Sequence, residues 1–338
     1  MGDQFARGCS ESLRGGTRHY VPANHYPAWT CETRSQMIYS IPRQFVLFAF
    51  LVVLTNAAAL CGQEWETNKS FHAAEAHQAA AADQQFLYAV TNNKIAKYDR
   101  QSNKLTEKSK GKAYHLNSGF FWKGDLYCAH SDTTFYYKDF PNGKDKSERS
   151  QIKMLDVATM KLTTFKDFGD RGGSLTWAVF HNDRWWCNFA RYRDGNRKTF
   201  LAKYIVEPDG DWREQARWVY PDYVLDQLGT NSISGGVWRE DELLVTGHDE
   251  AVLYRLQLPD AGNKLVCLGE YKVPFTGQGI ALDPKTGGMV GIIRARGLSR
   301  LRVGNQMVVA LPPRLSNSKK QGGQASSDQG AKKLNNKK

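Results

Sequence analysis

The sequence predicts an all-β protein, a five-bladed β-propeller of four-stranded antiparallel blades, on three observations. Five segments align on one another, each carries a turn between two apolar strands, and the second strand of each is apolar at successive positions. The segments are QAAAADQQFLYAV (78–90), SGFFWKGDLYCAH (118–130), WAVFHNDRWWCNF (177–189), GGVWREDELLVTG (235–247) and QGIALDPKTGGMVGII (278–293). They begin at spacings of 40, 59, 58 and 43 residues, and only the last needs three extra residues, all in its turn.

Each unit opens on a small residue, Ala79, Gly119, Ala178, Gly236 or Gly279, which suits a crowded axis. The turns KGD, HND, RED and DPKTGG are hairpin chemistry. After them Phe86, Leu126, Trp185, Leu243 and Met289 share one column and Leu87, Tyr127, Trp186, Leu244 and Val290 the next. A strand with one wet face would alternate, so this run predicts a strand covered on both faces, with Trp185 and Trp186 in the core. Alternating segments supply the outer strands: KIAKYD and KLTEK, IKMLDV and KLTTFKDF, TFLAKYIV and REQARWVY, AVLYRLQL and KLVCLGEY, LSRLRV and QMVVAL. Six blades are the alternative, because residues 131–150 and the helix-like YPDYVLDQLGTN (220–231) swell the second and third units.

The ends differ from the middle. Arg43 precedes an apolar run from Phe45 to Leu54 and then small residues, the pattern of an export signal cleaved between Ala59 and Gly62, or of an uncleaved anchor. Met37 gives such a signal an ordinary length and leaves residues 1–36 as an over-extended start. The expected organisation is therefore a signal or anchor over 37–62, a linker over 63–74, the propeller over 75–313 and a disordered Lys-rich tail over 314–338. That tail carries +6 of the formal +12, so the basicity marks a segment suited to polyanion contact and predicts no specific nucleic-acid recognition by the propeller. Of six cysteines, Cys128, Cys187 and Cys267 lie in the propeller, an odd and widely spaced set that is neither a zinc pattern nor a disulfide framework.

Hairpin geometry gathers the starts of first strands and the ends of second strands at one mouth of the hub. The starts bring His77, Gln78, His115, Asn117, Ser118, Thr176, Trp177, Ser234 and Gln278, and the ends bring His130, Arg191, His248, Asp249, Arg294 and Arg296. Arg191, Arg294, His130 and His248 suit anionic or polar ligand groups, Trp177 suits stacking, and Gln78, Ser118, Ser234 and Gln278 suit hydrogen bonding. Paired carboxylates at the strand starts, a GlyXSerXGly elbow, a phosphate loop and a HisGluXXHis helix are all lacking, and no metal or cofactor is expected.

FLYAVTNNKIAKYDRQSNKL (86–105) resembles the Tyr-Val-Thr-Asn propeller repeat, and residues 75–313 resemble secreted bacterial propellers of that broad, quinoprotein-like class. GQGIALDPKTGGMVGI (277–292) is similar to the last-blade segment of plant-type glutaminyl cyclases, which are secreted five-bladed propellers. That resemblance implies catalytic glutamates at the strand openings, where this chain has Gln78, Ser118, Trp177, Gly235 and Gln278, none of them a general acid or base. The expectation is an exported monomer that binds a small molecule or an envelope protein at the polar rim without turnover. The alternative is a cyclase-like enzyme, a lyase or a hydrolase using His130 or His248 as acid/base with Arg294.

Overall fold

In the computed structural model, which describes residues 64–132, 149–297 and 303–313, five four-stranded antiparallel sheets surround one axis. Strand β1 (Glu66–His72) precedes the first blade, which is β2 (Ala79–Ala82), β3 (Phe86–Val90), β4 (Ile95–Asp99) and β5 (Leu105–Lys108). Blade 2 is β6 (Leu116–Trp122), β7 (Asp125–Asp132), β8 (Arg149–Asp156) and β9 (Lys161–Asp170). Blade 3 is β10 (Ser174–His181), β11 (Arg184–Ala190), β12 (Phe200–Val206) and β13 (Trp212–Val219). A short helix α1 (Asp222–Gln227) leads to blade 4, made of β14 (Gly235–Arg239), β15 (Glu242–Thr246), β16 (Val252–Gln257) and β17 (Val266–Lys272). Blade 5 has β18 (Ala281–Leu282), β19 (Met289–Ile293) and β20 (Gln306–Leu311), with β1 as its outermost strand.

The helix-like stretch adds α1 and no sheet, so five is the blade number. The hairpins form as their residues require. Lys123 and Gly124, and Asn182 and Asp183, each take two successive positive φ angles, the tight-turn geometry whose twist matches paired strands. The second strands are buried along their length, including Leu87 to Val90, Trp185 to Ala190 and Leu243 to Thr246. Trp185 lies in an aromatic cluster with Trp122, Tyr127, Phe165 and Trp212, at ring separations of 5.2–5.6 Å. Cys128 and Cys187 are free thiols in the core, and burial holds Cys128 up at a pKa of about 12.

The linker expected over 63–74 is instead structural. Its β1 pairs with β20 from Glu66 opposite Leu311 to His72 opposite Gln306, so the first strand of the described chain closes the ring on the last blade. Its residues are mostly exposed, which leaves no apolar periodicity in ETNKSFH to announce a strand. Just before it, Trp65 is wholly buried among Val237, Leu244, Phe275 and Met289. The outer strand expected from LSRLRV falls mostly on residues 298–302, outside the described residues, and Val303 is in a turn. The signal or anchor, the over-extended start and the Lys-rich tail also lie outside them.

The hub is closed at the level of the strand openings. A Cβ on Gly279 would stand 2.5 Å from Ala79 Cβ and 2.6 Å from Ser118 Cα, so blades 5, 1 and 2 meet there through small residues. A Cβ on Gly236 would stand 2.4 Å from the indole of Trp177, which fills the corresponding gap between blades 3 and 4.

Candidate anion site at the hub mouth

Below the mouth, the polar strand openings are buried and bond blade to blade. Asn117 Nδ2 donates to Leu175 O at 3.0 Å, Thr176 Oγ1 to Ile233 O at 2.8 Å, Thr246 Oγ1 to Gln278 O at 2.5 Å and Ser118 Oγ to Ile280 O at 3.2 Å. Gln78 Nε2 donates to Asn92 Oδ1 at 2.6 Å, Gln278 Nε2 to His248 O at 2.7 Å, and Ser234 Oγ lies 3.4 Å from Ser232 O. Buried polar groups need such partners, and four residues expected to bond a ligand therefore bond the protein. Ser118 and Gln278 bond across to a neighbouring blade, whereas Gln78 bonds within blade 1 and Ser234 bonds the chain two residues before it. Trp177, expected to stack on a ligand, is fully buried against Gly236, with its ring inside the core that blades 3 and 4 share.

Above these openings, His248 and Asp249 at the end of β15 meet Arg294 and Arg296, which follow β19 in the next blade. His248 Nδ1 and Asp249 Oδ2 are 2.7 Å apart, and Arg294 Nη2 lies 2.9 Å from Asp249 Oδ1 and 3.3 Å from both ring nitrogens of His248. Arg296 also donates to Asp249 Oδ1. Burial raises the pKa of the Asp249 carboxyl, but bonds from Arg296, His248 and Arg294 outweigh it and hold the group at about 2, so it is ionised throughout the physiological range. His77, Arg294, Ala295, Arg296 and Gly297 line a cavity of about 290 Å³. His115 stands near enough to feel His77 and His248: burial first, and then those two charges, bring its pKa down to about 4.

The other two expected ligand groups lie elsewhere. His130 is 1% exposed, and its Nε2 accepts the Tyr114 N–H at 3.0 Å, which assigns the proton to Nδ1. Burial, followed by Lys153 and His115, with Asp167 opposing, holds its pKa at about 3, so it is neutral. Arg191 is exposed on blade 3 with its guanidinium over Gly172. The structure thus brings Arg294 and His248 together and adds Asp249 and Arg296 beyond the ends of second strands and His77 and His115 just before first strands, all visible in the sequence as polar rim positions. Their mutual pairing carried no local signal.

One neighbour among solved structures is a glutaminyl cyclase from Myxococcus xanthus, with a TM-score of 0.47 and 9% identity, covering 73% of this chain and 96% of that one. Another is the Cps50 (Swd1) β-propeller domain from Myceliophteria thermophila, with a TM-score of 0.37 and 9% identity, covering 72% and 98%. The likeness is one of fold. No protein-family model matches the sequence, and no curated protein does.

Proposed function

We propose that the protein is an exported propeller that binds a small anionic ligand, such as a phosphate- or carboxylate-bearing molecule, at the hub mouth. The observation that carries this is two guanidiniums that converge on one carboxylate beside His248 and, with His77, line a cavity of about 290 Å³. Arg294 and Arg296 both reach Asp249, so two guanidinium forks and one carboxylate are held together beside the cavity. Arg294 has only 11% of its side chain exposed, so its fork is held in place rather than waving in solvent. Asp249 acts as the internal stand-in for the ligand, keeping both guanidiniums ordered until an external anion shares them.

A thermal-shift titration with inorganic phosphate and citrate tests this on the full chain. The melting temperature is expected to rise with anion concentration in the wild type, and Arg294→Gln is expected to weaken binding roughly tenfold, about 1.4 kcal/mol. An equal response in wild type and variant overturns the reading. Asp249→Asn separates it from a second reading, in which the 2.7 Å contact between Asp249 and His248 Nδ1 orients the imidazole as a general base. Removing the internal carboxylate is expected to hold or tighten anion binding. Under the enzymatic reading the same change instead slows turnover of a substrate such as a peptide with an N-terminal glutamine, and no turnover by the wild type rejects cyclase activity.

Export rests on the signal-like run at residues 43–62, and the mass of the secreted protein tests it. The Lys-rich tail is proposed to contact polyanions of the envelope. Deleting residues 319–338 is expected to release the protein from it, and unchanged retention rejects the contact.

A further inference from the structure

The two ends of the hub differ in chemistry. Opposite the histidine and arginine mouth, where the hairpins between first and second strands turn, a larger cavity of about 430 Å³ opens, with all five blades in its wall. Blades 2, 3 and 4 present Phe121, Phe180 and Trp238, and His181 lies parallel to Trp238 at 5.2 Å with 6° between the planes. Blade 5 presents Leu282 and the backbone of Gly287 and Gly288.

The shape of this cavity follows from the three extra residues that set the fifth repeat apart. Its turn, Asp283 to Gly288, is long enough to form a wall, to which Asp283, Pro284, Gly287 and Gly288 contribute. Gly287 takes φ of +69°, with open space where a Cβ would stand. The turn is fixed from within. The fully buried Asp283 carboxylate pairs with Arg100 of blade 1, accepts the Lys285 N–H at 3.1 Å and Thr286 Oγ1 at 2.7 Å, and its main chain bonds Gly287 and Gly288 at 2.9 Å. A wall already rigid loses little freedom when a ligand arrives.

We propose that this cavity is a ligand site, distinct from the hub mouth, for a neutral, flat molecule about the size of a bicyclic aromatic. The volume lies within the range of small-molecule pockets. Ring faces and edges favour a ring-bearing guest over an aliphatic one. The wall holds one matched ion pair and one guanidinium engaged with a ring. Asp283 is matched by Arg100, and the Arg239 guanidinium lies over the Trp65 ring at 5.6 Å. Burial lowers the pKa of His181 and outweighs the opposing effects of Asp241 and Glu240, which keeps the imidazole uncharged at neutral pH.

Titration of the full chain with N-phenyl-1-naphthylamine, a neutral dye that brightens on leaving water, tests the proposal. A saturable rise with one site is expected, displaced by 2-naphthol and unaffected by inorganic phosphate, which addresses the other mouth. Leu282, 41% exposed at the cavity edge, tolerates enlargement, and Leu282→Trp is expected to weaken dye binding at least tenfold by filling the space. Pro284→Trp, at an exposed position of the same wall, serves as the second filling variant. Undiminished dye binding in either variant at wild-type melting temperature overturns the proposal, as does tighter binding of the anionic analogue 1-anilinonaphthalene-8-sulfonate.

Discussion

Gly236 and His130 show how single residues carry the physics of this fold. The space beside Gly236 is taken by the Trp177 indole, so Gly236→Val forces either the ring or β14 to move, at about 1–3 kcal/mol for overpacking. Urea denaturation is expected to report that loss, and an unchanged midpoint would place Trp177 elsewhere. His130 makes stability depend on acid. Its native pKa of about 3 lies below the ordinary histidine value of about 6.5, so the unfolded chain takes up the proton first. Its stabilising effect is complete above about pH 6.5 and is lost progressively as pH falls toward 3, amounting to about 2 kcal/mol by pH 5. His130→Gln is expected to flatten the fall in melting temperature between pH 7 and 5, and a profile parallel to wild type would contradict the assignment.

Among elements, β1 has the most to lose. It covers the edge of β20, and Trp65 beside it is buried to 1%. Trp65→Ala is expected to cost about 3–5 kcal/mol, measurable by denaturant unfolding. Deleting residues 64–72 is expected to expose β20 to edge-to-edge association, visible as higher oligomers in gel filtration. A monomer of wild-type stability would show the ring closed some other way. The strands of blades 1 to 4 were legible in the sequence because burial on both faces gives an unbroken apolar run and their turns carry glycine, asparagine and aspartate. β1 was not, since a half-solvated outer strand with the sequence ETNKSFH has no such run. Trp177 departs from its expected place for a related reason. Its column lies next to the axis, yet the missing side chain at Gly236 lets the indole lie down between blades, a fact written more than fifty residues downstream.

At the scale of the whole molecule, small residues at Ala79, Ser118, Gly236 and Gly279 shut the hub at its middle and leave two separate mouths. One is lined by histidine and arginine, the other by aromatic rings and a glycine turn. Hairpin geometry alone foretold that His248 and Arg294 would share a mouth. It could not foretell that Asp249 bridges the two arginines, because that depends on side chains from different blades meeting across the connection. The aromatic mouth leaves little trace in the sequence, because Phe121, Phe180 and Trp238 read as ordinary apolar strand ends before each turn. Its one signal was the lengthened DPKTGG turn.

Histidine-selective NMR during a titration of the full chain with inorganic phosphate tests the anion site most directly. The account expects the ring resonances of His77, His115 and His248 to shift together and saturably, with His130, buried and bonded to Tyr114, and His181, at the opposite mouth, staying still. Still resonances for all three mouth histidines, or equal shifts in all five, would contradict it.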